Sequence, residues 1–369
     1  MKKILVLVLA LILALGSFAA LAEAVDPAAI EDTITSEDGT YEVAFVTDVG
    51  QLKDKSFNEG TWNGVKLYAS QNGLTYKYYQ PANGDQATDD DRYDAMKAAA
   101  EAGAKVVVAA GFMQGTALAQ AAADYPDVKF VFIDGWAFDD LKNVVGVAFK
   151  EEQCGYFAGY AVVKDGYEDL GFAGGGGGTN PACMRYGYGF IQGANDAAAE
   201  LGKTVNMKFT WAYGASFAPS AELQTLISGW YETGTEVVFS AGGSIFSSIT
   251  AAASANDGAV IGVDVDQSYE SDTVITSALK GITEGTQWAI AKAYDGWDEV
   301  GGTAVSLGAS DDAVGLPVDT WSLETFTVEE YEALKAAVVA GEVTIDDQAA
   351  ENDPNQKGPW ENIVVDYVE

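Results

Sequence analysis

Histidine is absent from this 369-residue chain, and cysteine occurs only twice. Without an imidazole the commonest general base and the commonest neutral metal ligand are both missing, and neither a Ser–His nor a Cys–His nucleophile can be built. No cofactor, no metal and no enzymatic activity are therefore expected. Basic residues are scarce too: 20 Lys and Arg stand against 55 Asp and Glu, a formal net charge of -35. That field repels phosphates, which excludes nucleic acid and anionic membranes as expected partners. Beyond the N-terminal segment, no run is apolar for the ~20 residues that a membrane-spanning helix needs.

What is present starts with Lys2 and Lys3, an apolar run from Ile4 to Leu15, and small residues ending Ala20-Leu21-Ala22-Glu23-Ala24. This is the layout of a cleavable signal peptide over residues 1–22, with cleavage after Ala22 or Ala24 fitting equally well. The mature chain is expected outside the cytoplasm, in a periplasm or at a cell surface, and no Cys follows the signal to carry a lipid. In an oxidising compartment Cys154 and Cys183 would be able to pair, but spacing alone leaves a disulfide and two separate buried thiols equally open.

With 48% apolar residues the body has material for two cores. After an acidic lead at 23–39, expected to be mobile, short β-branched runs alternate with Ala-rich helical stretches. Strands are expected at Glu42–Thr47, Thr75–Tyr79, Lys105–Ala109, Lys129–Ile133 and Asn143–Ala148, and again at Asp169–Ala173, Val205–Thr210, Glu236–Ser240, Ala259–Val263 and Val274–Ala278. Between them fall helices such as Phe57–Gln71, Met113–Tyr125, Glu151–Val163 and Tyr188–Leu201. Two doubly wound α/β domains follow, with ligand groups at the carboxyl ends of the strands and a cleft between the lobes. The run Gly174–Gly178 lacks the Lys-Ser/Thr of a nucleotide-triphosphate loop and reads as a tight turn with close backbone approach.

Several segments resemble the Bmp (basic membrane protein) family of substrate-binding proteins, its purine nucleoside receptor group. They are VAFVTDVGQLKDKSFNEGTWNGV at Val43–Val65 with its DKSFN core, VVVAAGF at Val106–Phe112, YPDVKFVFIDG at Tyr125–Gly135, EEQCGYFAGYAV at Glu151–Val162, YGYGFIQGA at Tyr186–Ala194, VVFSAGG at Val237–Gly243, VIGVDVDQ at Val260–Gln267 and TSALK at Thr276–Lys280. The resemblance implies a type I periplasmic-binding-protein fold, two Rossmann-like domains joined by a hinge, serving an ABC importer through its permease and ATPase subunits. The N-terminal lobe would comprise 40–148 and 274–312, and the C-terminal lobe 149–273 and 313–369. A monomer is expected.

Site chemistry can be read beside that resemblance. Asp48 ends a strand and, as an ionised acceptor, suits the donor edge of guanine or hypoxanthine; a loop or capping aspartate would occupy the same place. Phe57 opens a helix, and the family sets this ring against a purine, where stacking is worth ~1–3 kcal/mol. Phe239 would cover the opposite face, although a Phe in a buried strand is ordinarily core. Gly242 brings bare backbone to the cleft. Asp264 can accept from two neighbouring ribose hydroxyls, with Lys280 donating to the same hydroxyls and balancing its charge; a surface Lys–Asp pair is the plain alternative. Asn58 and Asp134 complete the candidate ligand-binding set. Asp266, Gln267 and Phe112 are candidates for a supporting shell or hinge.

The expected function is capture of a purine nucleoside by hinge closure and its presentation to a permease. Another ribosylated or sugar-like ligand, or a surface receptor without transport, would use the same fold. A nucleoside hydrolase is excluded by the segment TDVGQLKD, which lacks the paired aspartates of a calcium loop.

Overall fold

The structure is a computed structural model that describes residues 25–49, 51–347 and 352–369. The expected signal segment lies outside the described residues. Along the chain run β1 (Val43–Val46), α1 (Phe57–Gln71), β2 (Tyr76–Tyr79), α2 (Asp89–Glu101), β3 (Val106–Ala110), α3 (Gly115–Asp124), β4 (Lys129–Ile133) and β5 (Val144–Phe149). Every residue of β1 and β3 is buried, as expected of parallel strands covered on both faces. Sheet order is β5-β4-β3-β1-β2, and all of these pairings are parallel.

The second lobe repeats the plan with α4 (Glu151–Asp165), β6 (Asp169–Gly174), α5 (Pro181–Leu201), β7 (Val205–Thr210), α6 (Ala221–Glu232), β8 (Val237–Ala241), α7 (Phe246–Ala255), β9 (Ala259–Asp264) and β10 (Val274–Lys280). Its order is β10-β9-β8-β6-β7, the same 2-1-3-4-5 winding. The two-lobed α/β architecture read from the sequence is therefore the one observed. The chain then gives α8 (Ile282–Tyr294), α9 (Trp297–Val300), β11 (Thr303–Leu307), β12 (Val314–Gly315), α10 (Val328–Ala340) and β13 (Ile363–Val368). Strand β11 adds to the first sheet beside β5, while β12 and β13 close the two edges of the second sheet.

Three expectations are corrected. The return to the first lobe does not fall at Val274: β10 pairs with β9 up to Leu279–Asp264, so the chain leaves the second sheet only at Gly281, and α8 then packs on α1. The acidic lead is tied down from Pro27 onward, because Lys66 on α1 is buried and its ammonium donates to the carbonyls of Pro27 and Ile30 and to Asp32. Trp62 Nε1 donates to the same Asp32 carboxylate, and Tyr76 donates to the carbonyl of Glu31. Burial alone would raise the Asp32 pKa, yet Lys66, Lys53 and Trp62 hold it down at about 2. Finally, α5 starts seven residues before Tyr188, at Pro181, since the Asn180 side chain caps it through Cys183 N. Cys183 is thus helical, and it and Cys154 are buried free thiols.

Helices α4 and α5 form the spine of the second lobe by direct backbone contact. Gly155 and Gly159 on α4, and Gly189 and Gly193 on α5, are each four apart and so share one face. A Cβ on Gly155 would lie 2.2 Å from the carbonyl of Tyr186, and one on Gly189 would lie 2.0 Å from that of Glu152. Here the usual gain of about 1 kcal/mol from a helical Gly→Ala change is outweighed by overpacking of about 1–3 kcal/mol or more. Gly189→Ala is expected to lower stability in urea unfolding. Gly229→Ala on α6, where a Cβ meets nothing within 4 Å, is expected to raise it by about 0.5–1 kcal/mol.

Candidate functional site

In a 2-1-3-4-5 sheet the winding reverses between the first and third strands, and loops there diverge to leave a crevice. Both lobes point that crevice at one cavity of about 310 Å³. Asp48 after β1 and Gly111 after β3 line it from the first lobe, and Ala241 and Gly242 at the end of β8 line it from the second. The lobes match further: Asp134 follows β4 and Asp264 ends β9, the fourth strand of each winding, and both have a left-handed backbone with φ of 55° and 68°. Such φ values are uncommon outside glycine and turn each carboxylate back toward the cavity, which both residues line.

On the first-lobe wall the DKSFN segment builds a fixed frame. Asp54 accepts the backbone N–H groups of Ser56, Asn58 and Glu59, and so caps α1 from outside the helix. Asn58 spans the frame: its amide donates to Asp54 and its carbonyl oxygen accepts Asp48 N at 2.9 Å. Asn58 lines the cavity, but these two bonds make it a brace. Asp48 lies against Gly111, where a Cβ would come within 2.3 Å of its carboxylate. Asp48 Oδ1 is buried and has no protein partner. Burial pushes its pKa from an ordinary 3.8 up to about 7, against the pull of Arg92 and with further push from Asp134 and Asp54.

Lys280, the last residue of β10, is buried at the back of the cavity. Its ammonium donates to Asp134 at 2.7 Å and to Glu151 at 3.1 Å, while Asp264 lies 4.0 Å away. Glu151, fully buried at the start of α4, also takes Arg185 at 2.6 Å. Burial works to lower the Lys280 pKa, but Asp134, Glu151 and Asp264 hold it well above the ordinary value; burial would raise Glu151, yet Lys280 and Arg185 hold it below. The expected Lys280–Asp264 pair is present at 4.0 Å, but it is buried rather than a surface pair, and Lys280 is the centre of a network whose nearest carboxylates are Asp134 and Glu151. Asp264 itself accepts from Tyr186 at 3.1 Å and Ser56 at 2.6 Å.

Phe57 lines the cavity, with Lys280 5.0 Å from its ring centroid. Phe239 does not. Its side chain is fully buried in mid-strand, two residues short of the cavity-lining Ala241 on the same face, and lies edge-on to Phe172, Tyr186 and Phe190, so it packs in the core rather than covering the cleft as expected. Two second-lobe rings do line the cavity, Tyr186 on α5 and Phe217 from the loop after β7. The glycine run is the seat of Phe217: a Cβ on Gly175 would come within 2.4 Å of the Phe217 ring, and one on Gly174 within 2.0 Å of Trp211. Only a clustered glycine stretch lets two aromatics of one loop lie flat on this turn. That run was the one available signal for Phe217, which lies in an irregular loop with no periodicity. Among the described residues no group of three or more Cys, Asp or Glu is placed to hold a metal.

Two α/β lobes closing on a cleft at their switch points define a solute-binding protein of the type I periplasmic-binding fold. Residues 41–349 match the Bmp family, described as ABC transporter substrate-binding protein PnrA-like, and the chain belongs to that family. Its similarity to the ABC transporter nucleoside-binding protein BmpA of Lactococcus lactis subsp. cremoris is 27% identity over 82% of this chain and 88% of the relative. A CD4+ T-cell-stimulating antigen of Listeria monocytogenes is 26% identical over 83% and 88% of the two chains. Among solved structures, an ABC transporter solute-binding protein from Aeropyrum pernix K1 superposes with a TM-score of 0.69 at 22% identity, covering 82% of this chain and 92% of that one. The protein is thus an ABC-transporter substrate-binding protein, as the sequence segments implied.

Two outcomes test the site geometry. Phe239→Ala should cost about 3–5 kcal/mol of stability, as a core truncation does. Because Asp48 has a raised pKa in the ligand-free fold, its contribution to stability is present at low pH and is lost as pH rises through about 7. Thermal unfolding from about pH 5 to about pH 8 should therefore fall more steeply for the wild type than for Asp48→Asn; parallel curves would contradict it.

Proposed function

We propose that this protein captures a purine nucleoside outside the cytoplasm, after export, and presents it to the permease and ATPase subunits of an ABC importer. The observation that carries the reading is a pair of aromatic rings from opposite lobes, Phe57 and Phe217, on a cavity whose walls carry unpartnered carboxylate oxygens. Aromatic faces suit a base, and Asp48 Oδ1 and Asp134 Oδ1 seek donors. In this reading Asp48 takes the N1–H edge of a guanine or hypoxanthine, while Asp134 and Asp264 take hydroxyls of the ribose, with Lys280 holding their charge and orientation. Gly242 is a glycine because a Cβ there would lie 2.7 Å from Gly175 N, and in this reading its bare backbone borders the ligand. The nucleoside-binding relative from Lactococcus supports the same ligand class.

The cavity also argues about what does not bind. Asp48, Asp54, Asp85, Asp134 and Asp264 line it, and Lys280, its cation, is already engaged. A phosphate would meet like charge costing several kcal/mol. Nucleosides rather than nucleotides fit.

Calorimetric titration is expected to give saturable binding of guanosine or inosine, at least about 100-fold weaker binding of the 5′-monophosphates, and no release of free base. No response to guanosine, inosine or adenosine would overturn the reading. Phe217→Ala should weaken binding by about 1–3 kcal/mol with little change in melting; a loss of melting without a loss of affinity would remove Phe217 from the site.

A further inference from the structure

The serine of DKSFN is in the first position from which a side chain could cap α1, yet its hydroxyl makes no capping bond. Asp54 has taken over that task through three backbone amides. The freed hydroxyl of Ser56, fully buried, donates instead across the cleft to Asp264 Oδ2 at 2.6 Å. Ser56 is not on the cavity wall, whereas Asp264 is.

The neighbouring residue crosses as well. Lys55 has a left-handed backbone with φ of 58°, a conformation that costs a non-glycine residue free energy unless its surroundings hold it. What holds it is second-lobe chemistry. The Lys55 carbonyl accepts Gln267 Nε2 at 2.8 Å, and the Lys55 ammonium pairs with Glu270. Gln267 is fully buried and presented rigidly: its own Oε1 accepts Val263 N at 2.9 Å, and its backbone N–H donates to Ser277 Oγ at 3.0 Å. The segment Asp54–Ser56 of one lobe and the segment Asp264–Glu270 of the other are therefore complementary without any solute between them.

We infer that these two segments form a clasp that closes the lobes directly, and that Ser56 is the positioning residue that fixes the Asp264 carboxylate in its ligand-accepting orientation. The second half of this statement rests on the proposed role of Asp264; the first does not. The clasp stabilises the closed arrangement before solute arrives, so that the cleft is populated in both open and closed forms and the solute selects the closed one. Because the contact is made only on closure, its loss shortens the life of the closed complex and leaves the fold of each lobe intact.

Spin labels placed on exposed sites of the two lobes, at Glu37 and Glu222, would report the lobe separation of the full chain by pulsed electron resonance. Compared are the wild type, Ser56→Ala, Asp264→Ala and the double variant, each without solute and with guanosine. Expected are a shift of the ligand-free Ser56→Ala distribution toward longer separations, an unchanged melting temperature, and a guanosine dissociation rate raised roughly ten-fold, the factor that follows from losing about 1.4 kcal/mol. Ser56→Ala should add nothing to the opening already caused by Asp264→Ala, since the Ser56–Asp264 bond is already absent there. A wild-type separation in Ser56→Ala, or opening that adds fully to that of Asp264→Ala, would overturn the clasp. An unchanged dissociation rate alongside an opened ligand-free distribution would overturn the positioning role. If guanosine binds no form of the protein, the nucleoside reading fails while the ligand-free distances still decide the clasp.

Discussion

The structure depends on one buried cation. Lys280 stands where β10 hands the chain back toward the first lobe, and its ammonium is shared by Asp134 from that lobe and Glu151 from the first crossing. Burying such charges is costly unless each is paired, and breaking a buried pair leaves an uncompensated charge worth about 3–5 kcal/mol. The network therefore fixes the hinge crossings, the end of β4 and the back wall of the cavity as one unit. It also explains how a chain of such acidity keeps a cluster of carboxylates around a closed space: one fixed cation, itself backed by Glu151 and Arg185, offsets those nearest the hinge.

Beside this rigid back wall the remaining contacts of the cleft are replaceable. Phe57 and Phe217 come from loop and helix-end positions, Asp48 keeps an unused acceptor, and Ser56 and Lys55 reach over to the opposite lobe. A hinge protein needs this division. Strong, buried charge pairing belongs where geometry is conserved through the motion, and small neutral or charge-assisted bonds belong where contact is made and broken.

The winding of both lobes was legible in the sequence because parallel strands buried on both faces are written as unbroken apolar runs, such as VAFV and VVVAA. Edge elements were not: β11 is half exposed, and β12 is two residues long, so neither carries a hydrophobic period. The cavity lining was legible at the carboxyl ends of strands, where Asp48, Asp134 and Asp264 stand. Phe239 was misread because its run VVFSA is buried throughout, and no pattern tells how near the end of such a strand a side chain must lie to reach a cleft. Phe217 lay in an irregular loop, and only the glycines it rests on betrayed an aromatic partner. The fixed lead, in turn, is held by Lys66, Trp62 and Tyr76, and sequence periodicity reads the lysine as one more polar position of α1.

These features converge on an account in which a purine base lies between Phe57 and Phe217, its donor edge on Asp48 and its sugar on the carboxylates that Lys280 holds in place. A crystal structure of the protein grown with inosine tests this most directly. The account predicts the base between the two rings, its N1–H within hydrogen-bonding distance of Asp48 Oδ1, and the ribose hydroxyls on Asp264 and Asp134. Inosine bound with its base away from Phe217, or with its sugar rather than its base facing Asp48, would contradict it.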